Sequence, residues 1–175
     1  MANRRGFFET GERLLMRARF GRQPIAALMF DLDHFKVIND RFGHGPGDEV
    51  LIAFCRLATA HFRATDLFGR IGGEEFAALL PDTTRRDAHA LAERVRASVE
   101  AAFHVVEEHA VRTTVSVGIA LATDAATDLA GLLKAADTAL YRAKEAGRNR
   151  VEISRFATER DPLIPPMSIR NRNAA

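Results

Sequence analysis

Apolar and polar positions alternate along the chain at helical and strand periods, with turn residues between them. Phe7, Phe8, Leu14 and Leu15 recur at helical spacing with arginines between and after them, predicting a helix over Gly6 to Arg19. Gly21-Arg22-Gln23-Pro24 ends it. Ile25 to Phe30 is an unbroken apolar run, too short for a typical helix and without alternation, which predicts a central strand buried on both faces. A short helical turn from His34 to Arg41 and a loop from Gly43 to Gly47 come next. Val50, Leu51, Phe54, Leu57, Ala58, His61 and Phe62 then fall on one face of an amphipathic helix, with Asp48 as its cap. His61 on that stripe reads as a packed or edge histidine.

Leu67 to Ile71 and Glu75 to Leu80 predict a hairpin, and Pro81-Asp82-Thr83-Thr84 ends it and supplies caps for the next helix. Ala88, Leu91, Ala92, Val95 and Val99 form that helix's buried face, leaving Arg94 and Arg96 toward solvent or a ligand. Val111 to Ile119 alternates in period two, the pattern of a half-buried strand. Leu129, Leu132, Leu133, Ala136, Leu140 and Ala143 mark a last long helix that Gly147 should stop. Val151 and Ile153 add a short edge strand, and from Ala157 prolines among polar residues predict a mobile tail over 156–175. Strands thus alternate with helices, two of them long enough to cover one sheet face, which is the pattern of an α/β or α+β domain.

The chemistry concentrates at two acidic turns. Gly72-Gly73-Glu74-Glu75 sits between the predicted hairpin strands; its glycines are expected to adopt positive φ and to leave a ligand room to approach. Asp31-Leu32-Asp33 ends the buried apolar run. If these strands are neighbours, Asp31 and Glu74 converge on a site for a hard divalent cation and a phosphate chain.

Composition narrows the partners. The 175 residues suffice for one core, and 47% hydrophobic with 27% charged residues fits a globular protein. A formal charge of +2 argues against a polyanion field, so no nucleic-acid polymer is expected as a partner. The single cysteine, Cys55, excludes an internal disulfide and reads as a small core residue. No apolar run approaches membrane-spanning length and no signal peptide is evident at the N-terminus, so a cytoplasmic location is expected.

Gly72-Gly73-Glu74-Glu75-Phe76, together with Phe30-Asp31-Leu32-Asp33-His34-Phe35-Lys36-Val37-Ile38-Asn39-Asp40, Gly43-His44-Gly45-Pro46-Gly47-Asp48, Val115-Ser116-Val117-Gly118 and the segment Ala136 to Asn149, resembles the GGDEF family of diguanylate cyclases. The motifs stand in the family's order from Asn3 to Val151, while only Asn3-Arg4-Arg5 matches the segment that precedes the family's first helix. The resemblance implies an adenylyl-cyclase-like palm: a mostly antiparallel five-stranded sheet with a ferredoxin-like core flanked by helices, over residues 1–155. It also implies condensation of two GTP molecules into cyclic di-GMP by a transient homodimer of half-sites. The alternative is a catalytically silent module that binds GTP or cyclic di-GMP.

The resemblance assigns roles residue by residue. Asp31, Glu74 and the backbone carbonyl of Leu32 would hold Mg²⁺ or Mn²⁺. Glu74 would also take the attacking hydroxyl's proton, and Glu75 would serve a second ion or shape the turn. Asn39 and Asp48 would read guanine, since a carboxylate accepts from both N1-H and the N2 amine; helix capping is the competing role for Asp48. His44 lies in the same loop, and Gly72 and Gly73 would let substrate approach. Lys36, Lys144 and Arg148 are the triphosphate candidates. Arg63 and Asp66 match the family's Arg-x-x-Asp inhibitory site for the product, with Arg94 as a helper and Arg17 as a secondary contact; an ion pair at a helix end is the competing reading.

Overall fold

The computed structural model describes residues 1–102, 104–106, 109–122 and 128–154, so the predicted tail lies outside the described residues. Helix α1 (Arg4–Gly21) is capped by the Asn3 side chain, which accepts from Gly6 N, and leads into strand β1 (Ile25–Leu32). Two consecutive helices follow, α2 (Phe35–Phe42) and α3 (His44–Thr59), then the hairpin β2 (Leu67–Arg70) and β3 (Glu75–Pro81). Helix α4 (Arg85–Ala101) is capped by Thr84, as expected from the Pro81–Thr84 segment. The chain continues through β4 (His104–Val106), β5 (His109–Val111), β6 (Val115–Ala122), α5 (Leu129–Glu145) and β7 (Val151–Ile153).

The strands form one five-stranded sheet in the order β2-β3-β1-β6-β7, antiparallel except for β6 with β7, and β4 and β5 pair separately. Strands β1, β2, β3 and β6 with α3 and α4 reproduce the β-α-β-β-α-β arrangement of a ferredoxin-like core.

Strand β1 is buried along its whole length because helices cover both faces of the sheet. Ala26, Leu28, Phe30 and Leu32 point into the core under α2, α3 and α4, whereas Ile25, Ala27 and Met29 point into the core under α1 and α5. Both faces are thus covered, as the expected strand buried on both faces requires. The expectation of a half-buried strand from Val111 to Ile119 is corrected: the strand proper begins at Val115 and is buried on both sides. Its period-two pattern misleads because the second face is closed by α5, so tightly that a Cβ on Gly118 would collide with the backbone of Ala136 and Leu140.

The chain's start joins the sheet edge. Ala2 N donates to Phe68 O at 2.9 Å and Arg70 N to Ala2 O at 3.1 Å, a parallel bridge beside Gly69. Cys55 is half-buried rather than a core residue, with its Sγ 3.4 Å from Met1 Sδ. Among the described residues no helix is long and apolar enough to cross a membrane.

Candidate active site

The strand register assembles the acidic site. In β1 the side chains alternate, so Asp31 projects to the same face as Ile25, Ala27 and Met29, toward α5. The register pairs Asp31 with Glu75 on one side and with Ser116 on the other, and Leu32 N donates to Glu74 O at 3.4 Å. Like charges directly opposite across two strands are destabilising unless something of opposite charge intervenes. Lys144, at the end of α5, supplies it: its Nζ lies 2.7 Å from Asp31 Oδ2. Burial raises the Asp31 carboxyl above its ordinary value, Lys144 opposes that shift, and Glu74 and Glu75 add to it.

The turn between β2 and β3 is held from outside. Arg70 Nε donates to Gly72 O at 3.1 Å and to Gly73 O at 2.8 Å, and Arg4 Nη1 donates to Ile71 O at 2.9 Å. Neither Gly72 nor Gly73 adopts positive φ, which corrects the expected turn geometry. Gly72 leaves room for the Glu75 carboxylate, which a Cβ there would push aside. Around Gly73 a Cβ would meet nothing, so only its openness to an incoming molecule distinguishes it.

A two-carboxylate edge suits a hard cation. Among the described residues no cluster of three or more His, Cys, Asp or Glu forms a complete metal cage. Mg²⁺ needs none when one or two carboxylates and substrate phosphates supply its oxygens. Asp31, Glu74 and the Leu32 carbonyl are oxygen donors of that kind, and Lys144 supplies the positive charge beside Asp31.

The guanine candidates lie where α2 meets α3. Helix α3 begins at His44, so the expected Gly43–Gly47 loop is helical from its second residue, with Gly43 at φ 91° as the N-cap. Asp48 therefore stands inside the first turns and exposed, not at the cap. Gly47 admits the Asn39 side chain, since a Cβ there would collide with Asn39 Oδ1. That oxygen is buried and has no hydrogen-bond partner, a cost that a ligand donor would relieve. His44 and Lys36 are exposed on the starts of α3 and α2. Because Asp48 caps nothing, Asp48→Ala is expected to leave the melting temperature nearly unchanged while sharply weakening GTP binding. Calorimetric titration beside a melting curve checks this; unchanged affinity with a loss of about 1 kcal/mol of stability would restore the capping role.

A second cluster forms at the far end of the hairpin. Arg63, Asp66 and Arg94 line one cavity of about 140 Å³ with His61, Thr83 and Asp87. Asp66 Oδ2 accepts from Arg63 N at 2.8 Å and Asp66 N donates to Arg63 O at 3.0 Å, so the two residues close a turn through backbone groups rather than a side-chain ion pair. Asp66 Oδ1 is buried without a partner, and burial raises the carboxyl's pKa above its ordinary value. His61 Nε2 lies 2.9 Å from Ser98 Oγ, in keeping with a packed histidine. Arg17 does not line this cavity; it lies exposed on α1, across the sheet from α4.

The sequence matches the family model for the diguanylate cyclase GGDEF domain over residues 1–150. This chain belongs to the GGDEF-domain family of diguanylate cyclases. It is 41% identical over 151 residues to the response regulator PleD of Caulobacter vibrioides, covering 85% of this chain and 33% of that protein. It is 38% identical over 153 residues to the probable diguanylate cyclase DgcT of Escherichia coli, covering 86% and 33%. The GGDEF chain thus spans about a third of the length of these curated relatives. Among solved structures, the GGDEF domain of DgcB from Caulobacter crescentus, in complex with c-di-GMP, superposes with a TM-score of 0.85 at 30% identity, covering 89% of both chains. The active GGEEF domain of a diguanylate cyclase from Vibrio cholerae superposes at 0.82 with 36% identity, covering 88% of this chain and 97% of that one.

Three features of this GGDEF domain escaped the sequence reading: the Arg70 brace, the pairing of Lys144 with Asp31, and the buried role of Asp33. Asp33 is 3% exposed and accepts from Thr114 Oγ1 at 2.6 Å, Ser116 Oγ at 2.7 Å and Asn149 N at 3.0 Å. A carboxylate two residues beyond Asp31 invites a metal role; its partners come from strand β6, the residue just before it and the loop after α5, which local sequence does not reveal.

Proposed function

We propose that this chain condenses two GTP molecules into cyclic di-GMP, releasing two pyrophosphates. The observation that carries the reading is the juxtaposition of Asp31 with Glu75, next to Glu74 and under Lys144, in a chain of the GGDEF family. Each ribose 3′-hydroxyl attacks the other nucleotide's α-phosphorus and expels pyrophosphate, so charge must be neutralised and a proton removed. A divalent ion, Mg²⁺ or Mn²⁺, bound by Asp31, Glu74 and the Leu32 carbonyl would lower the hydroxyl pKa and neutralise phosphate charge. Glu74 takes the proton. Lys144 moves from Asp31 to the phosphates, with Lys36 and Arg148 beside it, while Asn39 and Asp48 accept from guanine.

One chain offers one nucleotide site and the reaction needs two, facing each other about a two-fold axis, so the catalytic unit is a homodimer. Product returns to the cavity of Arg63, Asp66 and Arg94, where guanidinium groups fork to phosphate or guanine and the unpartnered Asp66 oxygen accepts from the base. The test is product formation. Purified protein with GTP and Mg²⁺ should yield cyclic di-GMP by chromatography, and nucleotide binding without product would mark a silent binding module instead.

A further inference from the structure

Arg148 stands in an unusual stretch of backbone. Gly147, Arg148 and Asn149 are successive residues with φ of 111°, 62° and 46°, a region that residues with a Cβ seldom occupy, still less in succession. Such a conformation persists only where its surroundings over-determine it, and those places cluster at functional sites. Here the backbone N–H and both side-chain polar atoms of Asn149 are engaged. Its N–H donates to Asp33 Oδ2 at 3.0 Å, its Oδ1 accepts from Arg96 Nη1 at 2.9 Å, and its Nδ2 donates to Glu100 Oε1 at 2.7 Å. Arg96 is itself fixed between Glu93 and Glu100 at 2.8 Å from each. Asp33 is locked by Thr114 and Ser116 of the β6 segment. The turn is thus pinned to α4 through a side chain and to the sheet through a backbone N–H, while Arg148 itself remains exposed.

We propose that Asn149, anchored by Asp33, is a positioning residue that holds the Arg148 guanidinium at the nucleotide's β- and γ-phosphates. This rests on the reading of Arg148 as a triphosphate ligand. The two carboxylates at the end of β1 then divide the work: Asp31 faces the cation edge, and Asp33, whose oxygens are taken by three donors, sets the turn carrying the arginine. A guanidinium fixed in advance loses less freedom when phosphate binds, so loosening the turn should weaken binding without removing a contact.

The selective variant is Asn149→Gly. Glycine accepts the left-handed backbone and keeps the N–H to Asp33, but it removes both tethers to α4. Calorimetric titration with Mg²⁺ and a non-hydrolysable GTP analogue should show about a tenfold loss of affinity, with GMP affinity unchanged. Arg148→Ala should give the same selective loss, and adding Asn149→Gly to it should cost little more, because both act through one guanidinium. Asp33→Asn should resemble Asn149→Gly; if that buried variant does not fold, Asn149→Gly decides alone. Equal loss for GMP and the triphosphate, no loss for either, or full additivity with Arg148→Ala would overturn the proposal. If Arg148→Ala alone spares the triphosphate preference, the reading of Arg148 fails as well; if only Asn149→Gly spares it, the positioning role alone fails.

Discussion

Asp31→Asn and Glu74→Gln are each expected to reduce cyclic di-GMP formation by about a thousandfold or more, since a catalytic cation supplies several kcal/mol of charge stabilisation. The fold should survive both. The Asp31→Asn change keeps the shape of a side chain that is 7% exposed while removing a buried charge, and Lys144, whose side chain is 31% exposed, can turn to water once its partner is gone. Glu74 sits in a turn braced by Arg70 through the carbonyls of Gly72 and Gly73, not through the glutamate itself. Circular dichroism should therefore match the unsubstituted protein while Mg²⁺-dependent turnover disappears. Comparable product yield from either variant at equal folding would remove the carboxylates from the chemistry.

Arg63→Ala is expected to raise the concentration of cyclic di-GMP needed for half-inhibition by about tenfold or more, the scale of one lost charge-assisted contact. The geometry makes this substitution clean. Asp66 Oδ2 accepts from the Arg63 backbone N–H, which alanine retains, so the turn and the buried Asp66 carboxyl stay in place. Only the guanidinium leaves the cavity that Arg94 shares. Inhibition assays with added cyclic di-GMP read the shift, and an unchanged half-inhibitory concentration would reduce Arg63 and Asp66 to a surface turn.

The legible parts of this fold were those encoded by periodicity over a full element. The long helices α1, α4 and α5, the buried run of β1 and the β2–β3 hairpin all follow from apolar spacing and flanking turn residues. Two misreadings share one cause. The alternation of β6 implied a wet face, and the glycines of residues 43–47 implied a loop, but tertiary contacts override both. Helix α5 closes the second face of β6 over Gly118, and α3 begins at His44, with Gly43 as its N-cap and the Asn39 side chain seated in the space that Gly47 leaves. At the site, Asp31 and Glu74 could be inferred from their places at strand ends. The cross-strand pairing of Asp31 with Glu75 and the Asp33–Asn149–Arg96 network could not, because both depend on register and on partners as far apart in sequence as Asp33 and Asn149.

Following cyclic di-GMP and pyrophosphate together across a range of protein concentrations, with GTP and Mg²⁺ in excess, tests the condensation by paired half-sites most directly. Two pyrophosphates should appear for each cyclic di-GMP, and the initial rate per chain should climb with protein concentration as half-sites meet, then level off once dimers predominate. No cyclic di-GMP at any concentration, or a rate per chain that stays flat while light scattering reports a monomer throughout, would contradict it.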